Sequence, residues 1–327
     1  MFFQDSWKVT SKLRLDLGVR YSLTSPVYSL WGNMAYFDPS VYNPANAVSI
    51  NPATGNLLGT PTLQQIYNGV VIPGTGWPSA AGNRPAAQVA GIYNFLFNGK
   101  SNKYTSQQHG DIAPRVGVAY AIDSKSVIRA GFGRFYDHTG VSDGLFPGGN
   151  SPIQQQASVA NGNVDNPGGT NATLFPLYFL SYNKYNPTPN SMQWNVTYQR
   201  EIGFGTVVSV AYTGRKGVHL PDEQNINQLP VGTCPQGACP GGVSPNSLVP
   251  YKGFSTILQN INLGESYYKS LQFQATHRFS KGLSFNVAYT YGKSTDNGTS
   301  YQQVWTNAYD NSFLWGPSTF DRREVWT

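Results

Sequence analysis

The stretch "LRLDLGVRYS" (residues 13–22) alternates without a break: Leu13, Leu15, Leu17, Val19 and Tyr21 are apolar, while Arg14, Asp16, Gly18, Arg20 and Ser22 are charged, small or hydroxylic. A period of two is the mark of a β-strand with unlike faces. One face needs an apolar medium and the other a polar one.

The pattern recurs. "LSFNVAYTYG" (residues 283–292) sets Leu283, Phe285, Val287, Tyr289 and Tyr291 against Ser284, Asn286, Ala288, Thr290 and Gly292. "SLQFQATHRFS" (residues 270–280) sets Leu271, Phe273, Ala275 and Phe279, with His277 among them, against Gln272, Gln274, Thr276 and Arg278. Residues 115–122 and 190–202 alternate alike and turn through "DSKS" and "GFG" into further strands. Four hairpins are therefore expected, at about 1–22, 111–138, 190–213 and 266–294, with a further strand beginning at about 316–327. Only Asp5 breaks the phase of the first strand, where a bulge is expected.

Turns within hairpins are short, whereas the connections between hairpins (23–110, 139–189, 214–265 and 295–314) are long. Structureless loops of that length count against a compact soluble domain. Short turns at one end and long loops at the other are the asymmetry of an outer-membrane barrel, and strands of about ten residues cross a bilayer when tilted. The apolar face then meets lipid and the polar face lines a lumen. The expected fold is all-β: an antiparallel transmembrane β-barrel, about eight or nine strands of a larger wall, with long extracellular loops.

Composition agrees. Charged residues make up 12% of the 327, about half the ~25% usual in soluble chains, and aromatics reach 14%. The net charge of +6 is spread singly along the chain, which argues against a nucleic-acid partner. No apolar run is long enough for a membrane helix. Met1 is followed by "FFQDSW", without the character of a secretory signal.

"FFQDSWKVTSKLRLDLGVRY", "IAPRVGVAYAIDSKSVIRAGFGRFYD", "NSMQWNVTYQREI" and "SYYKSLQFQATHRFSKGLSFNVAYTYGKSTDN" resemble successive hairpins of Oar-like TonB-dependent receptors. The resemblance implies a barrel of about 22 strands with a plug inside, an upstream carboxypeptidase-regulatory-like domain, and energy supplied by the TonB system. Nothing here matches the plug, the TonB box or a signal peptide, so residues 1–327 are expected to be part of such a barrel. Its partners would be outer-membrane lipid, the plug of the parent chain, the TonB system and a surface ligand.

Candidate sites follow from the faces. Arg14, Asp16, Arg20, Arg115, Arg129, Glu201 and Arg278 fall on the polar face and are expected to line the lumen. Trp31, Tyr36, Tyr178, Tyr182, Trp305 and Trp315 lie in the long connections, where they could stack on a ligand or pack among the loops. Cys234 and Cys239, in "TCPQGACPGG", are expected to form a local disulfide, with two free thiols the alternative. No catalytic, metal or cofactor constellation is evident: "GFGRFY" lacks the third glycine of a dinucleotide fingerprint, and the four histidines lack partners at ligand spacing. Two other functions fit parts of the pattern. One is a self-contained small barrel acting as adhesin or porin; the other is a soluble extracellular carbohydrate-binding β-protein.

Overall fold

A computed structural model describes residues 1–28, 30, 32, 34–77, 91–97, 99, 103–137, 146–154, 175–235, 238–280, 282–298 and 304–327. The alternating segments form strands: β1 (Phe2–Lys8), β2 (Leu13–Thr24), β3 (Tyr36–Phe37), β4 (Val70–Val71), β5 (Gln108–Ala121), β6 (Ser126–Tyr136), β7 (Leu177–Tyr182), β8 (Asn190–Gly203), β9 (Thr206–Asn225), β10 (Phe254–Ser280), β11 (Leu283–Asp296), β12 (Gly316–Pro317) and β13 (Glu324–Trp326). Eleven of them make one sheet, in the order β1-β2-β5-β6-β8-β9-β10-β11-β12, with β13 also on β11 and β7 on β10; β3 and β4 pair separately. Among the described residues β1 and β11 do not pair with each other, so the wall is open.

Register brings like faces together. One row across the outward face runs Leu17, Val116, Phe132, Trp194, Gly214, Lys269 and Lys293. A side chain on Gly214 would collide with the Trp194 ring, so the absence of a Cβ there seats the indole flat on the wall. The next row toward the turns runs Leu15, Val118, Ala130, Val196, Tyr212, Leu271 and Tyr291. Leu17, Val116, Phe132, Val196, Tyr212, Leu271 and Tyr291 are all solvent-exposed, because no protein layer covers this face.

The outward apolar band is oblique to the hydrogen bonds. On β2 it spans residues 13–23 and on β11 residues 283–291. Its midpoint slides about seven residues over about six strand-to-strand steps, an inclination of about 40° at ~3.3 Å per residue and ~4.8 Å per step. Strands of a transmembrane barrel tilt by about that angle. On β8 the band covers about ten residues, or about 25 Å of height once tilted, the thickness such a wall presents to lipid.

Two expectations need correction. The segment 214–265 is not all loop: β9 has 20 residues and β10 has 27, and their ladder continues past the apolar band to Asn225 and Leu258. Periodicity hides this extension, since above the lipid neither face needs to be apolar. The transmembrane wall is antiparallel as expected, and above it, in the cap, β7 adds to β10 in parallel. Finally, β1 pairs with β2 without a bulge; Asp5 lies opposite Leu17, and its carboxylate accepts a hydrogen bond from the Ser6 N–H at 2.8 Å.

With the wall's apolar side chains turned outward, the buried core lies in a cap built from the long connections at the end opposite the hairpin turns. Phe37, Ile72, Phe179, Phe254 and Ile257 are fully buried there. Phe37 packs edge-on against Tyr251 at 4.8 Å and Phe254 at 5.0 Å. The short helix α1 (Leu63–Ile66) starts with a capping box between Thr62 and Gln65.

Candidate functional site

The inward face of the wall is polar and small. Arg14, Asp16, Arg20, Arg115, Arg129 and Glu201 share it, in phase with Gly117, Gly131, Asn195 and Thr213, whereas Arg278 falls in the register shift between His277 and Ser280, where the ladder gives it no partner. Arg14 Nε meets Asp16 Oδ1 at 3.2 Å and its Nη2 donates to Ser6 Oγ at 3.0 Å, while Ser6 also donates to Asp16. Arg129 Nη1 donates to Gln199 Oε1 at 2.6 Å, and the Arg115 guanidinium lies 4.9 Å from the Phe135 ring centre. Arg20 Nε reaches Ser22 Oγ at 3.2 Å. Glu201 and Arg278 sit near the hairpin-turn end. Water screens exposed pairs of this kind, so they order the surface more than they hold it.

The cap carries a cleft of about 1080 Å³. Among the described residues its lining includes the amides Asn43, Gln64, Gln107, Asn183 and Gln259, the rings of Phe95 and Phe97, the carboxylate of Asp38, and two cations, Lys103 and Lys184. Gln259 is 9% exposed at its floor. Amides and ring faces suit a polar ligand of low charge.

The loop aromatics divide. Tyr36 and Tyr182 are buried, each packed on Tyr104 at centroid distances of 5.2 and 5.6 Å, with edges on the cleft. Trp305 is buried beside the top of β9. Tyr178 and Trp315 present exposed rings, Trp315 lying 6.0 Å from Tyr267. Trp31 lies outside the described residues. Cys234 and Cys239 are joined as a disulfide with Cα atoms 4.0 Å apart.

Residues that hold the cap together gave no sequence signal. Buried Asn150 donates to the carbonyls of Ala35 at 2.6 Å and Leu180 at 2.8 Å, and accepts from Leu180 N at 2.9 Å. Buried Asp111 accepts from Thr24 Oγ1 at 2.8 Å and Thr188 Oγ1 at 3.0 Å, tying β2 to the segment before β8. A lone Asn or Asp in a polar stretch looks like any turn residue.

Asp222, above the apolar band on β9, is 2% exposed. Gly264 and Gly298 make room for its carboxylate: a Cβ on either would lie 2.8 or 2.7 Å from its oxygens. Burial pushes its pKa up to about 6, the nearby Asp296 adds to the rise, and the Trp305 indole opposes it. The folded state therefore holds a proton that the unfolded chain has released. That contribution is full below pH ~4 and is lost as pH rises through about 6. Cap stability is expected to increase by on the order of 2 kcal/mol between pH 7 and pH 4.5. Proteolysis of the cap across that range checks it, and Asp222→Asn should flatten the profile.

Among the described residues no group of three His, Cys, Asp or Glu side chains could hold a metal ion. A family model described as an outer membrane beta barrel domain matches residues 1–327. The chain belongs to that family. As an outer membrane beta barrel domain it resides in the bacterial outer membrane. A search of curated proteins gave no match. Among solved structures, the outer membrane transporter YddB from Escherichia coli is 17% identical, with a TM-score of 0.41 over 62% of this chain and 22% of that one. The siderophore receptor PirA from Pseudomonas aeruginosa is 11% identical, with a TM-score of 0.38 over 90% and 36%. A double mutant of the Serratia marcescens hemophore receptor HasR, in complex with its hemophore HasA and heme, is 13% identical, with a TM-score of 0.38 over 99% and 38%. The barrel domain thus spans well under half the length of each of these structures.

Proposed function

We propose that this chain forms part of the wall and the surface mouth of a TonB-dependent receptor that takes up a ligand from the cell surface. The observation that carries the proposal is the single-layered wall: an oblique apolar band outside, a polar face inside, and a cleft-bearing cap above. Unpaired strand edges cost several kcal/mol per group in hydrocarbon, so further strands would complete the sheet beyond β1 and β12. They would come from the rest of a longer protein, whose plug would meet the inward arginines. The open order of the strands favours this over a self-contained small barrel, and the bare outward face favours it over a soluble carbohydrate-binding protein.

Uptake by cells with and without the whole gene, each with an intact or deleted TonB system, tests the proposal. The compounds offered would be ferric chelates, cobalamins and neutral oligosaccharides. At least one is expected to accumulate only when both gene and TonB are present. Accumulation that needs the gene but persists without TonB would replace the energised receptor with a passive channel.

A further inference from the structure

Above the apolar band, on three neighbouring strands, the outward face turns basic. Lys216 on β9, Lys269 on β10 and Lys293 on β11 lie on that face, in phase with Tyr212, Leu271 and Tyr291. Lys269 and Lys293 are direct cross-strand partners, and both are exposed. Lys216 is two residues further toward the cap than the row that Lys269 and Lys293 share, which the strand tilt offsets, so the three sit within about one residue of the same height. That height is the upper edge of the apolar band.

Like charges directly opposite on a sheet repel, with Cβ atoms about 5 Å apart. The acidic groups nearby answer only part of the charge. Glu265 pairs with Lys216 at 3.4 Å, and Lys216 also lies 4.9 Å from the Tyr267 ring centre. Asp321 is within electrostatic reach of Lys293 but is engaged by Arg323 at 2.7 Å. Glu324, beside Tyr291, is accompanied by Arg322 and Arg323 in the chain. Lys269 has no carboxylate within 4.0 Å among the described residues. Lys269 and Lys293 stand opposite each other at the edge of the apolar band, with Leu271 and Tyr291 one row beneath them, so this fork pairs two cations where the phosphate of an acyl-chain lipid would lie.

We infer that Lys269 and Lys293, flanked by Lys216, bind the phosphate of a phosphorylated lipid headgroup in the outer leaflet. This does not depend on whether the receptor transports anything. The test uses the whole receptor purified from outer membranes and native mass spectrometry of added lipid A, either phosphorylated or fully dephosphorylated. Wild type is expected to retain phosphorylated lipid A, and the Lys269→Gln/Lys293→Gln variant about tenfold less, as the loss of two charge-assisted contacts implies. Lys269→Arg/Lys293→Arg should restore retention. Equal retention of the two lipids by wild type overturns the assignment, and so does equal retention by wild type and the Gln variant. If the Gln variant fails to fold, the comparison of lipids on wild type decides alone.

Discussion

Ala275→Arg is expected to destabilise the wall by about 2–4 kcal/mol, whereas Gln274→Arg, one residue away, should cost less than about 1 kcal/mol. Ala275 is outward, between Val208 and Val287, near mid-height of the apolar band. A guanidinium there must shed its water into acyl chains or bend back to an interface. Gln274 faces inward between Ser209 and Ala288, and its amide already donates to Asn286 Oδ1 at 3.1 Å, a bond an arginine can replace. The measurement is equilibrium unfolding by urea from lipid vesicles. Equal costs at the two positions would mean that both faces meet the same medium, and the membrane assignment of the wall would fail.

The second large effect belongs to the cap. Asn227→Ala should lower cap stability by about 3–5 kcal/mol, since each buried group left unsatisfied costs about 1–3 kcal/mol. Asn227 is 2% exposed. Its Nδ2 donates to the carbonyls of Tyr251 at 3.2 Å, Phe254 at 2.8 Å and Ser255 at 3.0 Å, and its Oδ1 accepts from Tyr251 N at 2.8 Å. One side chain thus takes the place of a strand for an irregular stretch that enters β10. Limited proteolysis should show faster cleavage within residues 228–253 while the wall keeps its resistance. Asn227→Asp should recover part of the loss at most, because it keeps the acceptor and loses the donor.

These two predictions mark what the sequence could reveal. The wall was legible because lipid outside and water inside impose alternation on every strand: Leu15, Val118, Val196, Leu271 and Tyr291 declare their face one residue at a time. The residues of the opposite, polar face were legible by the same phase. The cap was not, because it is held by amides such as Asn150 and Asn227, by a parallel strand whose "LYFLSY" also reads as an aromatic loop, and by strands that leave the bilayer and lose their imposed period. The cleft was invisible for a simpler reason: its lining is gathered from segments more than two hundred residues apart, from Asn43 to Gln259.

The length of β9 and β10 bears on motion. Their ladder runs unbroken from the hairpin turn to the bilayer edge, shifts register only around Gly264 opposite Leu220, where His219 adopts a φ of 58°, and then resumes into the cap. The cap is therefore mounted on a stiff post and not hung from a tether. A swing of the cleft would pivot at that irregularity, so a ligand seated above would press on β9, which carries Lys216, and on β10, which carries Lys269.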